Sequence, residues 1–127
     1  MYEKLLSEGK IGNLTLKNRV IMTAMGVDCA EPDGSAGPRV CDYYEERAKG
    51  GVGLIITEVT RVNDYHGLAL GGQLSMSNDD MIEPFSKLVD RVHSHGTKIF
   101  VQLHHPGRQN LSALAYSWKM LTRVGKV

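Results

Sequence analysis

Residues 98–108 read KIFVQLHHPGR. Ile99, Phe100, Val101 and Leu103 form a short β-branched, aromatic and aliphatic run, the pattern of a strand buried on both faces in a parallel sheet. Gln102 interrupts the run with one uncharged polar side chain, and His104, His105, Pro106, Gly107 and Arg108 follow as a loop. In an α/β barrel the C-terminal ends of the strands and the loops after them carry the chemistry. A Gln in a strand can equally bridge backbone groups, and a His pair after a strand can equally be a polar loop start. The surrounding chain weighs the two readings.

Upstream of that strand, His95 and Gly96 end a helix that Pro84 starts, with Phe85, Leu88, Val89 and Val92 on one face. Asn78, Asp79 and Asp80 supply cap chemistry for a short turn before it. Residues 59–77, containing Gly67, Gly71 and Gly72, read as a long loop. VGLIIT (52–57) is a second buried strand, ended by Glu58. Between Pro38 and Gly50-Gly51, Val40, Tyr43, Tyr44, Arg47 and Ala48 outline an amphipathic helix. Residues 31–35 form a loop by composition. VIMTA (20–24) is a first buried strand, closed by Met25 and Gly26, where glycine permits close approach of a ligand or serves a turn. Residues 10–16 make a hairpin around Gly12-Asn13.

The order is hairpin, β, α, β, α, β, with right-handed crossovers expected. A Rossmann half would need GxGxxG after a strand, and the chain has none. The leading hairpin suits the bottom plug of a barrel. Residues 112–127 are expected to form a further helix carrying Leu114, Trp118 and Leu121, with no fourth strand.

The chain has 127 residues, 42% hydrophobic, with a net charge of +1. That balance excludes a nucleic-acid partner and a polybasic membrane contact. Cys29 and Cys41 are too far apart for a CxxC motif, and reduced thiols in a cytoplasmic protein are the simpler reading. No apolar run is long enough to span a bilayer, and the first ten residues lack a signal-peptide core.

LKNRVIMTAM (16–25), YYEERAKGGVGLIITE (43–58) and KIFVQLHHPGR (98–108) together resemble the N-terminal part of the Old Yellow Enzyme-like NADH:flavin oxidoreductases, in the 2,4-dienoyl-CoA reductase/bacterial ene-reductase branch. The match runs from about Leu5 to Arg108, and residues 111–127 are unassigned. The resemblance implies an α/β fold, the hairpin and first three βα strands of an FMN-dependent (β/α)8 TIM barrel. It implies that Thr23, Ala24, Met25 and Gly26 lie against the flavin, that Val59 touches it, and that Gln102 hydrogen-bonds its pyrimidine edge. A carboxamide offers the donor and acceptor that edge requires. The implied reaction is hydride transfer from NAD(P)H through the flavin to the β-carbon of an activated alkene, an unsaturated carbonyl compound.

Two departures stand out. Many relatives carry Cys or Thr where this chain has Gly26, and some carry Tyr where it has Asp28. A complete barrel needs roughly 250 residues. The chain is therefore expected to be an N-terminal fragment, inactive alone, with its catalytic residues, its phosphate loops and any 4Fe–4S cysteines downstream of Val127, and with a homo-oligomer open to the complete protein. The alternative is a non-catalytic product: a truncated barrel, a remnant or half of a split barrel. Glu58, His104 and His105 lack the spacing of a metal site. Glu58 could act as a general base, but the resemblance implies a mainly structural role at the strand end, paired with a barrel Arg. Tyr43, Tyr44 and Arg47 are expected to pack, and Tyr65 and His66 to lie in solvated loop.

Overall fold

The computed structural model describes residues 2–110. The helix expected at 112–127 lies outside the described residues. A one-turn helix, α1 (Glu3–Leu6), precedes the hairpin, in which β1 (Gly9–Ile11) pairs antiparallel with β2 (Leu14–Leu16). Gly12 turns the hairpin at φ 56°, a left-handed conformation that suits glycine. The hairpin sits against the N-terminal ends of the later strands. Lys17 Nζ donates to His95 O at 2.7 Å and to Thr97 Oγ1 at 3.1 Å, and Asn18 Nδ2 donates to Gly51 O at 2.7 Å.

The remaining elements are β3 (Ile21–Met22), α2 (Pro38–Lys49), β4 (Leu54–Arg61), α3 (Ile82–His93) and β5 (Lys98–His104). Strands β3, β4 and β5 form one parallel sheet in that order. Pro38 opens α2, where its missing N–H costs nothing. Asn78 accepts from the Asp80 N–H to cap the 3-10 turn Asp79–Met81 ahead of α3. Val40, Tyr44 and Ala48 of α2 and Phe85, Leu88 and Val92 of α3 bury one core with Ile55, onto which Met22, Ile99 and Val101 pack. Burying each large apolar side chain there contributes about 1.5–3 kcal/mol.

Three expectations are corrected. The first strand spans Ile21–Met22 rather than 20–24, and it is not buried: Ile21 is 41% exposed. The third strand is covered on its helix side only as far as Val101: Phe100, on the opposite face, is 39% exposed, and Leu103, beyond the helix cover, is 63% exposed. Both are the outer strands of the described sheet, with no neighbour on one side. The second strand begins at Leu54 and does not end at Glu58 but runs on to Arg61. Its polar residues read as a strand end, yet Thr57, Glu58 and Thr60 are fully buried and hydrogen-bonded within the fold.

The chain after β4 returns to it. Arg61 N–H donates to Leu74 O and Met76 N–H to Arg61 O, both at 2.8 Å. Arg61 is buried and pins the excursion, donating from Nε to Asp64 Oδ1 and from its terminal nitrogens to Gln73 O and Asp33 O. No helix among the described residues is long and apolar enough to cross a membrane, and Cys29 and Cys41 are free thiols.

Candidate functional site

The C-terminal ends of β3, β4 and β5 gather the residues singled out from sequence. A β-bulge in β4 sets their geometry. The register steps from Ile56↔Phe100 to Val59↔Gln102, so β4 advances three residues where β5 advances two. Side chains alternate along a strand, so one extra residue switches the faces beyond it. Ile99 and Val101 face the helix core. Phe100 and Gln102 therefore share the opposite face, and the bulge brings Val59, not Glu58, beside Gln102 there.

The extra residue leaves backbone groups outside the ladder, and side chains satisfy them. The Glu58 N–H donates to the Tyr44 hydroxyl at 2.7 Å. Thr57 Oγ1 accepts from the Gln102 N–H at 3.3 Å, and Thr60 Oγ1 donates to Glu58 O at 3.0 Å. The Gln102 side chain is exposed and makes no hydrogen bond among the described residues, so it does not bridge backbone groups there. Among the described residues its carboxamide is unengaged.

Thr23, Ala24, Met25 and Gly26 continue from β3 along the same end of the sheet. Thr23 and Gly26 are exposed, Ala24 is half-buried, and Met25 is 53% exposed. The segment is held from its far side. Glu58 Oε2 accepts from the Val27 N–H at 2.6 Å and the Asp28 N–H at 3.1 Å. Asp28 sits at φ 57°, and its Oδ1 accepts from the Gly72 N–H at 2.5 Å, while Gly72 O accepts from the Ala30 N–H at 2.9 Å. A Cβ placed on Gly26 would lie 2.7 Å from Leu70 Cδ1, so the loop after β4 fills the space where a side chain at 26 would stand.

The expected place of Glu58 at a strand end is corrected: it lies inside β4, and its Oε2 serves the Val27 and Asp28 amides, with no Arg paired to it among the described residues. It is fully buried, which argues against a general base in contact with solvent. Burial pushes its pKa up, against the hydrogen bonds from Asp28 and Val27, which pull it down. Burial likewise raises the Tyr44 hydroxyl above its ordinary range. Nothing in the sequence pattern points to Tyr44 as the partner of a bulge or to Leu70 as the cover of Gly26; both contacts cross between distant segments. His105 Nδ1 accepts from the Gly107 N–H at 3.0 Å, shaping the loop after β5. Arg47 stacks 3.5 Å from the Tyr43 ring centroid, a packing contact. Tyr65 is 72% exposed, in solvated loop. Among the described residues, no group of three or more His, Cys, Asp or Glu side chains could hold a metal ion.

Residues 5–117 match the NADH:flavin oxidoreductase / NADH oxidase family. The chain is 46% identical over 108 residues to the NADH oxidase of Thermoanaerobacter brockii, covering 85% of this chain and 17% of that protein. It is 39% identical over 125 residues to the NADPH dehydrogenase of Listeria welshimeri, covering 91% of this chain and 37% of that one. The chain thus spans well under half the length of these curated relatives. Its fold resembles the old yellow enzyme from Trypanosoma cruzi with a TM-score of 0.76 at 37% identity, over 86% of this chain and 29% of that structure.

Proposed function

The chain belongs to the NADH:flavin oxidoreductase / NADH oxidase family, and we propose that it forms the flavin-facing N-terminal part, within residues 1–127, of an FMN-dependent (β/α)8 oxidoreductase acting on activated alkenes of the enone or enoyl type. The observation that carries this reading is the pairing of Val59 with Gln102 across the β4 bulge, beside the segment that follows β3. The exposed face of Ile21 and Phe100 and the outer edges of β3 and β5, unpaired among the described residues, support completion of the sheet by further barrel strands.

The residues present fit a flavin ring. Gln102 offers an unengaged amide N–H and carbonyl to a heterocycle edge that alternates acceptors and a donor. Val59 and Met25 offer apolar surface, and Gly26 presents exposed backbone, with Leu70 filling the side on which a Cβ would stand. FMN, when bound, supplies hydride acceptance from NAD(P)H and delivery to the alkene β-carbon. Gln102 would orient the ring edge and favour its reduced, more negative form by donation. The 23–26 segment would fix the depth at which the ring sits. The groups that hold the substrate carbonyl and the cofactor phosphate are assigned to strands beyond this chain.

The test is FMN uptake by the complete protein, this chain together with the barrel strands assigned beyond it, followed by red-shifted flavin absorbance, and then NADPH consumption with a cyclic enone. Uptake with enone-dependent NADPH loss supports the reading. A complete protein that leaves free FMN unperturbed at micromolar concentration overturns it, whereas the 127-residue chain alone is expected to hold FMN weakly because the phosphate loops lie outside it.

A further inference from the structure

Glu58 is fully buried, yet only half of its carboxyl group is used: Oε2 accepts two backbone amides, while Oε1 is buried with no hydrogen-bond partner among the described residues. A buried polar atom without a partner is costly. An apolar side chain of similar size would fill this space more cheaply, so packing alone does not account for a carboxyl group here. The geometry of Oε2 does account for it. The N–H groups of Val27 and Asp28 are successive, and with Asp28 at φ 57° they converge on one oxygen. Paired amides of that kind form a small anion-receiving concavity.

The rest of the turn is held in place by the loop after β4. Asp28 Oδ1 and Ala30 N–H grip both backbone groups of Gly72, and a Cβ on Gly72 would come within 2.8 Å of Asp28 O. Glu58 is also the bulge residue whose N–H is received by Tyr44, and it directly precedes Val59. One side chain thus joins the two arms of the site: it adjoins Val59 through the chain and grips the residue after Gly26 through Oε2.

We propose that Glu58 is a positioning residue, acting as a hydrogen-bond acceptor that fixes the 23–26 segment relative to Val59 and Gln102, and so sets the gap into which the flavin ring fits. The part concerning flavin rests on the function proposed above. Acceptor and packing roles predict opposite orders of tolerance. Glutamine in place of Glu58 retains a side-chain carbonyl for the two amides, whereas leucine retains only apolar volume.

The experiment compares Glu58→Gln and Glu58→Leu with wild type in the purified protein. The first readout is amide hydrogen exchange at Val27 and Asp28 without added cofactor; the second is FMN affinity by flavin fluorescence, measured in the complete protein that carries the phosphate-binding strands. Glu58→Gln should keep both amides and the affinity within about threefold of wild type, and Glu58→Leu should speed both amides and weaken FMN by about tenfold or more. Leucine tolerated as well as glutamine in both readouts overturns the proposal. If Glu58→Leu fails to melt cooperatively, Glu58→Gln decides: unprotected Val27 and Asp28 amides in that variant overturn it, and retained protection supports it. A wild-type protein that takes up no FMN overturns the functional reading and not the clamp, which the exchange data decide separately.

Discussion

The backbone N–H of Glu58 donates to the phenolic oxygen of Tyr44 at 2.7 Å, across the layer between β4 and α2. Neither residue is reached by solvent. The contact is the structural condition for the bulge. The extra residue of β4 removes an amide from the ladder, and a buried amide must find another acceptor. Because Tyr44 receives it, β4 can turn Val59 to the face of Gln102 and leave Glu58 to the turn after β3.

Tyr44→Phe should therefore destabilise the protein by about 1–3 kcal/mol, the cost of a buried donor left unsatisfied, with almost no change in packed volume. Urea unfolding followed by circular dichroism should show a lower midpoint with an unchanged slope. A midpoint equal to wild type would mean that the Glu58 amide finds another acceptor or that the bulge relaxes without cost.

Gly26 and Leu70 should be coupled. The atom that a Cβ at 26 would meet is the tip of a flexible side chain, 2.7 Å away, and the φ of Gly26 is not in the left-handed region. Gly26→Ala should thus cost no more than an off-rotamer leucine, about 0.5–1.5 kcal/mol. In the Leu70→Ala background that cost should vanish, giving a coupling of about 0.5 kcal/mol or more in a double-mutant cycle. Additive effects would show that Leu70 does not occupy the place of a side chain at 26.

Helices α2 and α3, the hairpin and the three parallel strands are legible because apolar periodicity, Pro38 and the Gly50-Gly51 stop are local signals, whereas the one-turn α1 is too short to show any periodicity. The extent of β4 is not. Thr57, Glu58 and Thr60 are polar, so a pattern argument ends the strand there, whereas the structure buries them by pairing their groups with Tyr44, Gln102 and the turn after β3. Burial of the outer strands is misread for a related reason. A strand sequence such as Ile99–Leu103 states that two faces are apolar and not which of them has a partner. Gln102 stands out as a polar interruption of that run. Its alignment with Val59 depends on a one-residue bulge, which no composition or spacing rule reveals.

Acid should weaken the contact between α2 and the C-terminal end of α3. The hydrogen bond from His95, and then Arg91, hold the Glu45 carboxyl down from its ordinary 4.5 to about 2. Arg91 also bonds to Asp42 at 2.6 Å. A carboxyl whose folded pKa lies below its unfolded value adds stability above the unfolded pKa and loses it as pH falls through the folded one. Glu45→Gln should therefore lower the melting temperature at pH 6, with the gap to wild type narrowing between pH 4.5 and about 2. The gap should also shrink with added salt, though less than for a fully exposed pair, because Glu45 is partly buried. A gap that is constant over that pH range would show that the carboxylate charge contributes nothing.

Gln102 carries the sharpest expectation about cofactor chemistry. Its carboxamide is exposed at the C-terminal end of β5 with no hydrogen bond among the described residues, beside Val59. Gln102→Leu keeps the approximate volume and removes both the donor and the acceptor. In the complete protein, FMN affinity should fall by the cost of leaving polar ring atoms unpaired, about 1–3 kcal/mol. The amide donates to a ring that gains negative charge on reduction, and hydrogen bonds to charge are the stronger ones. The reduced form should therefore lose more than the oxidised form, which moves the midpoint potential to a more negative value. Gln102→Glu should move it further in the same direction while its carboxylate is ionised, by setting a negative charge beside the reduced ring. Lowering the pH through the titration of that carboxylate should then bring the Gln102→Glu potential back toward wild type, a pH dependence that Gln102→Leu lacks. A dye-coupled redox titration of both variants beside wild type reads all three effects. Potentials unchanged in both variants would separate Gln102 from the flavin and remove the pairing with Val59 as support for the proposed function.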